Sequence, residues 1–441
     1  MSSGVGKNIN QLFVDKFKDF EANLNGQKEL PVHQLRKQAL DQFMKSGLPD
    51  KHEEYKYTNF KRALSKNFDF SQLFNNTSTD ASHEDHLIGN LTGNILVFVN
   101  GQFSANDSNY NSEEISIATL KEAYKDHSEH IDKHFGNLVA KNNDSFATLN
   151  SIFCNDGVYI HIGKNKVVET PTIIYYLSDT TTGEATSFPR NLIVAEENSQ
   201  SSIIEVFSTI GDGNSFSNSV TEISVAKNAI VDYYKVANDT KNAYHIGLTQ
   251  VSQERDSTFS AHSFTFGGGI IRNNLHIALE DENCTANMYG IYMLSGESHV
   301  DNHTEVDHKK PNSFSNELYK GILDDKSTGV FNGKIFVRQD AQKTNAFQSN
   351  KNILLTDDAT VNTKPQLEIW ADDVKCSHGC TTGQLDNEAL FYLRSRGIDE
   401  KRAKAMLLYA FATDVIENVK IDSLKEYLDH IIAERFHQEQ A

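Results

Sequence analysis

Residues 192–206, LIVAEENSQSSIIEV, set down a strand, a short polar turn ending on a small residue, and a second strand. Leu192 and Val194 alternate before the turn and Ile203 to Val206 follow it, the pattern of extended chain. The same unit recurs through the middle of the sequence. Its turns are Glu197-Asn198-Ser199, Lys227-Asn228-Ala229, Arg255-Asp256-Ser257, Glu282-Asn283-Cys284, Asp325-Lys326-Ser327 and Asp357-Asp358-Ala359. Their middle residues are spaced by 30, 28, 27, 43 and 32 positions. The longest interval reads as one unit with an insertion around Ser298 to Ser313. A period near thirty residues built from strands alone predicts a β-solenoid, whose rungs bury their apolar faces only against one another. A large β-sandwich is the competing architecture, but its strands need no fixed period. The expected fold is mainly β, a parallel β-helix core over residues 91–380 between helical domains at 1–90 and 381–441.

The flanks read differently. From about Asn8 to Phe74 the pattern is helical: Leu12, Phe13, Phe17 and Phe20 put an apolar stripe on a charged segment. A second helix over Val32 to Met44 is stopped by Gly47-Leu48-Pro49. In His52 to Leu64 (HEEYKYTNFKRAL) aromatics mix with charge, which reads as anchoring of a helix end. Asn75 to about Leu87 is a polar linker, and Asn94 to Phe103 is a hairpin turning at Asn100-Gly101. A helical insert is expected over Ile117 to Phe135, with strands resuming at Ser151, so that Cys154 packs in a mixed strand. Asp386 to Phe436 is helical, with Asp399 as one N-cap and a capping box at Ser423 and Glu426 opening the last helix. These helices are expected to cap the end of the solenoid.

With 60 acidic against 42 basic residues the formal net charge is −18, which disfavours nucleic acid and anionic membrane as partners. Four cysteines in 441 residues make no disulfide framework, and no apolar run is long enough for a membrane span. The first thirty residues mix charges with no apolar core of a signal peptide, so a cytoplasmic location is expected. The Gly267-Gly268-Gly269 run has no following Lys-Ser/Thr and reads as a turn. No nucleotide site is expected in the chain.

The densest set of ligand-type side chains lies in PQLEIWADDVKCSHGCTTGQLDNEALFYLRSRGI, residues 365–398. If the segment around Cys376-Ser377-His378-Gly379-Cys380 is extended, Cys376, His378 and Cys380 share a face and Ser377 points away. Thiolate and imidazole are ligands for zinc, iron and iron–sulfur clusters. A buried cysteine beside a hydrogen-bonded histidine is the plainer reading of the bare residues, and no fourth zinc ligand stands at a recognisable spacing. Cys284 fills the small-residue slot of its turn.

CSHG at 376–379 followed by TTGQLDNEALFYLRSRGI resembles the C-terminal signature of the SufB/SufD family, scaffold proteins of iron–sulfur cluster assembly, and its SufD branch in particular. Glu54-Tyr55-Lys56-Tyr57-Thr58 is similar to a short N-terminal motif of that branch. The cysteine-rich N-terminal motif often seen in SufB is absent, since no cysteine precedes Cys154. The resemblance departs at Cys380, where a small residue such as alanine is expected, so Cys380 rests on its spacing alone. The resemblance implies a parallel β-helix that pairs with a SufB-like paralogue through its last rungs, or forms a homodimer when alone. It also implies docking of a SufC-like ATPase on the C-terminal helices, and a transient iron–sulfur cluster at the subunit interface beside Cys376 and His378. The chain is then a scaffold and not an enzyme.

A reading from another class is a carbohydrate-active β-helix enzyme using Asp301, His303, Asp307 and His308 in VDNHTEVDHKKPN, although a solvated loop is the plainer account of that segment. A third is a self-sufficient zinc protein built on Cys376, His378 and Cys380.

Overall fold

The computed structural model describes residues 8–438 apart from 25–27, 29–30, 51, 71–72, 74–82, 112–113 and 142–143. Its centre is a flattened β-solenoid of about eight turns. Two sheets of mainly parallel strands form its walls, and the chain alternates between them. The first sheet runs from the Asn94–Val99 strand to Lys375–Gly383, and the second from Ser116–Thr119 to Thr360–Ile369. Between the walls, side chains such as Ile203, Val231, Phe259, Ala286, Val300 and Phe331 stack into one buried cluster.

Each coil turns two corners. At one corner Asn198, Asn228, Asp256, Asn283, Asn312 and Lys343 adopt φ of 57–63°. That left-handed conformation is one that asparagine and aspartate tolerate better than most residues. Their amides ladder along the stack: Asn198 N donates to Lys227 O, Asn228 N to Arg255 O and Asn283 N to Pro311 O, at 2.9–3.1 Å. The residue after each one (Ser199, Ala229, Ser257, Cys284, Ser313 and Thr344) is buried. Cys284 is thus a packing residue.

The spacing needs one correction. Lys326 and Asp358 lie at the opposite corner, where Lys326 N donates to Gly296 O. The long interval from Asn283 is a full coil of 29 residues to Asn312 plus half a coil, with no insertion. Residues 299–308 form the strand His299–His308. Its alternation is easy to miss because Asn302, Thr304 and His308 stand among the inward-facing positions and are buried there beside Val300 and Val306.

Among the described residues, six α-helices precede or interrupt the early coils: α1 (Ile9–Ala22), α2 (Pro31–Ser46), α3 (Phe60–Asn67), α4 (Leu120–Asp126), α5 (Ser128–His134) and α6 (Ser145–Phe153). Phe13, Phe17, Phe43, Phe60 and Phe153 from this set pack on Phe216 and Ile246, covering the outer face of the second sheet. The hairpin at Asn94 forms as expected, with φ of 51° at Asn100 and 77° at Gly101. Ser151 to Phe153 are helical, contrary to the expected strand. Asp144 caps α6 by accepting from Ala147 N at 2.7 Å, and Cys154 is the buried C-cap. Ile117 belongs to the short strand Ser116–Thr119, and the insert's first helix starts at Leu120 behind the Thr119–Glu122 capping box. The linker expected from Asn75 falls mostly outside the described residues; Glu84–His86 within it is a short 3-10 turn.

Among the described residues, three α-helices follow the last strand: α7 (Asn387–Ser395), α8 (Glu400–Ile416) and α9 (Asp422–Gln438). Asp399 caps α8 as expected, accepting from Arg402 N at 3.0 Å, whereas α9 begins at Asp422, ahead of the expected capping box. Nor do α8 and α9 cap the solenoid. They double back along the outer face of the first sheet, where Leu408, Val415, Leu424, Leu428 and Ile432 join Tyr234, Phe264, Ile291, Met293 and Ile322. Lys420 Nζ anchors them on Asp232 Oδ1 at 2.8 Å, and Arg435 Nη1 donates to Met293 O at 2.9 Å. That apolar outer face offers α8 and α9 far more to bury than the narrow end of a flattened coil, so the end stays open.

Candidate functional site

The solenoid stops on two strands, Thr360–Ile369 and Lys375–Gly383, each paired on one side only among the described residues. Register decides which of their side chains face inward. Ala346, Gln348, Asn350 and Asn352 are buried in the preceding strand, and their partners are Cys376, His378, Cys380 and Thr382. Partners in a parallel pair project to the same face. Cys376, His378 and Cys380 therefore share the inner face, and Ser377 lies on the other. Across from them, Val361, Thr363, Pro365, Leu367 and Ile369 continue the inner face of Phe331, Ile335 and Val337. Without a further coil this lining meets solvent: Ile369 is 40% exposed and Trp370, at the corner, 49%.

The shared face does not make a closed metal site. Residues two apart on a strand are separated by about 6.7 Å and residues four apart by about 13 Å. Metal–ligand arms of about 2.0–2.3 Å cannot join Cys376 and Cys380 to one ion. All four cysteines are free thiols. Cys376 packs with Ala346, Ala371 and Val374, and burial pushes its thiol pKa up. A metal arriving there must displace a proton to gain the thiolate.

Beneath the open end runs a buried polar column that sequence reading missed. Gln348, the register partner of His378, donates from Nε2 to Glu317 Oε2 at 2.7 Å. Burial raises the Glu317 carboxyl to about 7. Asn350 Nδ2 donates to Tyr292 Oη at 3.3 Å, and Tyr292 donates in turn to Asn352. The available signal was the placement of Glu317, Gln348, Asn350 and Asn352 on one phase of otherwise ordinary strands.

The 301–308 segment is corrected from loop to strand, and its groups are divided and engaged. His308 faces inward, with Nε2 2.9 Å from Ser315 Oγ. Asp301, His303 and Asp307 face outward. Asp301 Oδ2 accepts from Arg272 Nη1 at 3.0 Å and from Thr58 Oγ1 at 2.5 Å, while its Oδ1 lies 2.8 Å from His303 Nε2. Burial alone would raise the Asp301 carboxyl; the charges of His303 and Arg272 and the hydrogen bonds outweigh it and hold the pKa well below the usual range. Asp307 is bound by Arg338 Nε at 2.7 Å. On this surface the His52–Leu64 segment docks. Arg272 lies 4.0 Å over the buried Tyr55 ring, and Glu54 Oε1 accepts from Lys334 Nζ at 2.6 Å. These carboxylates join two parts of the fold and are not a free acid and base.

A second exposed apolar surface lies on α7 and α8. Phe391 is 73% and Tyr392 55% exposed, with Met406 and Tyr409 also outside.

Residues 177–411 match the family model described as SUF system FeS cluster assembly, SufBD core domain, and residues 7–174 that of the SufBD protein N-terminal region. The chain is similar to the iron–sulfur cluster assembly protein SufD of Escherichia coli (strain K12), at 32% identity over 422 residues, or 94% of this chain and 95% of that one. An iron–sulfur cluster assembly SufBD family protein of Synechocystis is 29% identical over 449 residues, 98% of each chain. The protein named SufD in Bacillus subtilis (strain 168) is 25% identical over 454 residues, 98% of this chain and 99% of that one.

Proposed function

The chain belongs to the SufBD family and is a SufD-like iron–sulfur cluster assembly protein, and on that premise we propose that its open end is the surface where a cluster is built between two subunits. The observation that carries this reading is the coincidence, on one uncapped coil, of two unpaired strand edges, an exposed apolar lining and the inward-facing Cys376 and His378. A SufB-like paralogue adding its own last strands would satisfy the edges and cover Val361, Leu367 and Ile369. A homodimer would do the same when the chain is alone.

The cluster is cargo on this reading. Cys376 supplies a thiolate once the metal has displaced its proton, His378 supplies an imidazole or handles protons, and Cys380 is a weaker candidate. Since Cys376 and Cys380 are too far apart to share one ion, the three groups close no complete site alone, and the remaining ligands come from the partner. The exposed Phe391, Tyr392, Met406 and Tyr409 suit docking of a SufC-like ATPase, which would supply the nucleotide chemistry. The protein acts as a scaffold and not an enzyme, in the cytoplasm, without nucleic acid or membrane. No helix among the described residues is long and apolar enough to cross a membrane.

The test is co-expression with the SufB-like and SufC-like proteins of the same organism, followed by native mass spectrometry. A discrete complex of all three is expected. In it, Cys376→Ser and His378→Ala should lower cluster transfer to an apo-acceptor at least tenfold while leaving the assembly intact. A chain that remains alone would refute the pairing.

A further inference from the structure

Far from the open end, the structure brings together three ligand-type side chains that no sequence motif announces. His130 is on α5, His161 is on the outward face of the Val158–Ile162 strand, and Glu196 sits in the corner after the Arg190–Ala195 strand. Each offers one donor atom, and the three atoms lie within 4.8 Å of one another. His161 Nε2 is 2.9 Å from Glu196 Oε1, and the His130 and His161 ring centroids are 4.6 Å apart. Glu196 is oriented by Lys164 N, which donates to Oε2 at 2.9 Å. His130 Nδ1 is buried and makes no hydrogen bond among the described residues. A buried polar atom left in that state is unfavourable and is satisfied by a ligand.

We propose that His130, His161 and Glu196 form a binding site for a divalent transition cation of the zinc type. Two imidazoles and a carboxylate are the donor set of zinc sites that keep one coordination position open. Arms of about 2.0–2.1 Å in tetrahedral geometry put donors about 3.4 Å apart, so no pair among the three has to close by more than about 1.4 Å. The cation takes the place of the proton between His161 and Glu196, and each imidazole keeps its N–H on the other nitrogen. His134 lies one turn along α5, its ring centroid 6.2 Å from that of His130. Bound there, the cation ties the α4–α5 insert to two successive strands of the second sheet. The site holds no thiolate and is independent of the cysteines at the open end.

The experiment is a Zn(II) titration of the full chain against a chromophoric chelator. It uses a background in which Cys376 and Cys380 are serine and His378 is alanine, so that the open end contributes nothing. One tight equivalent is expected, weakened at least about 100-fold by His130→Asn, His161→Asn or Glu196→Gln, by analogy with the large losses seen even for outer-shell changes. Co(II) in place of zinc should give ligand-field absorption without a thiolate charge-transfer band. His130 lies outside both sheets, so His130→Asn with an unchanged far-UV circular dichroism spectrum decides the matter even if His161→Asn fails to fold. Absence of tight binding in the background protein, an affinity unmoved by His130→Asn and Glu196→Gln, or a thiolate band with Co(II) in the background protein would each overturn the assignment.

Discussion

Thr58 Oγ1 donates to Asp301 Oδ2 at 2.5 Å across 243 positions of sequence. The same hydroxyl lies 2.8 Å from His299 Nε2, so one threonine ties the N-terminal segment to the middle of the second sheet. Arg272 completes the junction, bonded to Asp301 Oδ2 and to Glu54 O at 2.6 Å. Thr58→Val should cost about 1–3 kcal/mol, the usual penalty for leaving a buried partner unsatisfied. Arg272→Met leaves the Asp301 carboxylate without its guanidinium and should cost about 3–5 kcal/mol. Equilibrium denaturation in urea measures both; a loss below about 0.5 kcal/mol for Arg272→Met would mean that the ion pair does not hold the junction.

Glu317 gives the fold a pH dependence of definite sign. Its carboxyl is raised from 4.5 to about 7 by burial. Below pH 4.5 it is protonated in both states and costs nothing. Between there and about 7 the unfolded chain has released the proton that the folded chain keeps, so this group's contribution falls as pH rises. Above 7 the loss is complete, on the order of 3 kcal/mol. Glu317→Gln keeps an acceptor for Gln348 and removes the titration. Between pH 4.5 and 8 its stability should therefore rise relative to wild type, as followed by thermal melts across that range. A flat difference would place the carboxyl at an ordinary pKa.

Cys284 should be dispensable as a thiol and sensitive as a volume. Its Sγ reaches Asp281 O at 3.3 Å, as Ser257 Oγ reaches Glu254 O at 2.6 Å one coil earlier. Cys284→Ser should stay within about 1 kcal/mol of wild type, whereas Cys284→Leu overfills the corner and should cost about 1–3 kcal/mol. Cluster assembly by the serine variant should match wild type.

Ile369→Lys separates folding from association. The side chain is 40% exposed at the open end, so the isolated chain should lose less than about 1 kcal/mol. If a SufB-like protein pairs through that end, the position becomes buried, and a lysine there should weaken association at least tenfold, read by analytical ultracentrifugation with a SufB-like protein of the same organism. Equal affinity would move the interface elsewhere.

The solenoid was legible because its period is written in left-handed corners such as Asn198, Asn228 and Asn283, where few residue types serve. The phase was not, since Lys326 and Asp358 make similar polar turns at the other corner. Residues 299–308 look like a loop in the sequence because burial by a separate segment, with Arg272 and Thr58 as partners, lets a strand carry Asp301 and His303 on its outward side. Ser151 to Phe153 resemble a strand in the sequence because a buried helical turn and a short apolar strand look alike without the Asp144 cap. At the open end, alternation was enough to align Cys376, His378 and Cys380. Their distance from one another, and the Gln348–Glu317 pair below, depend on register, which single residues do not encode. The trio His130, His161 and Glu196 depends on a helix folding back on the sheet and left no local trace.

A coil inside the stack is bonded on both sides, and the last coil on one. In a quasi-one-dimensional fold stability is the sum over such neighbours, so amide hydrogens of Lys375–Gly383 should exchange well before those of Ile230–Asn238. Cys376 and His378, the proposed cluster ligands, thus ride on a coil that is held from one side only. Docking a second chain would slow that exchange, and the exchange rate of the Cys376 amide becomes a clock for assembly.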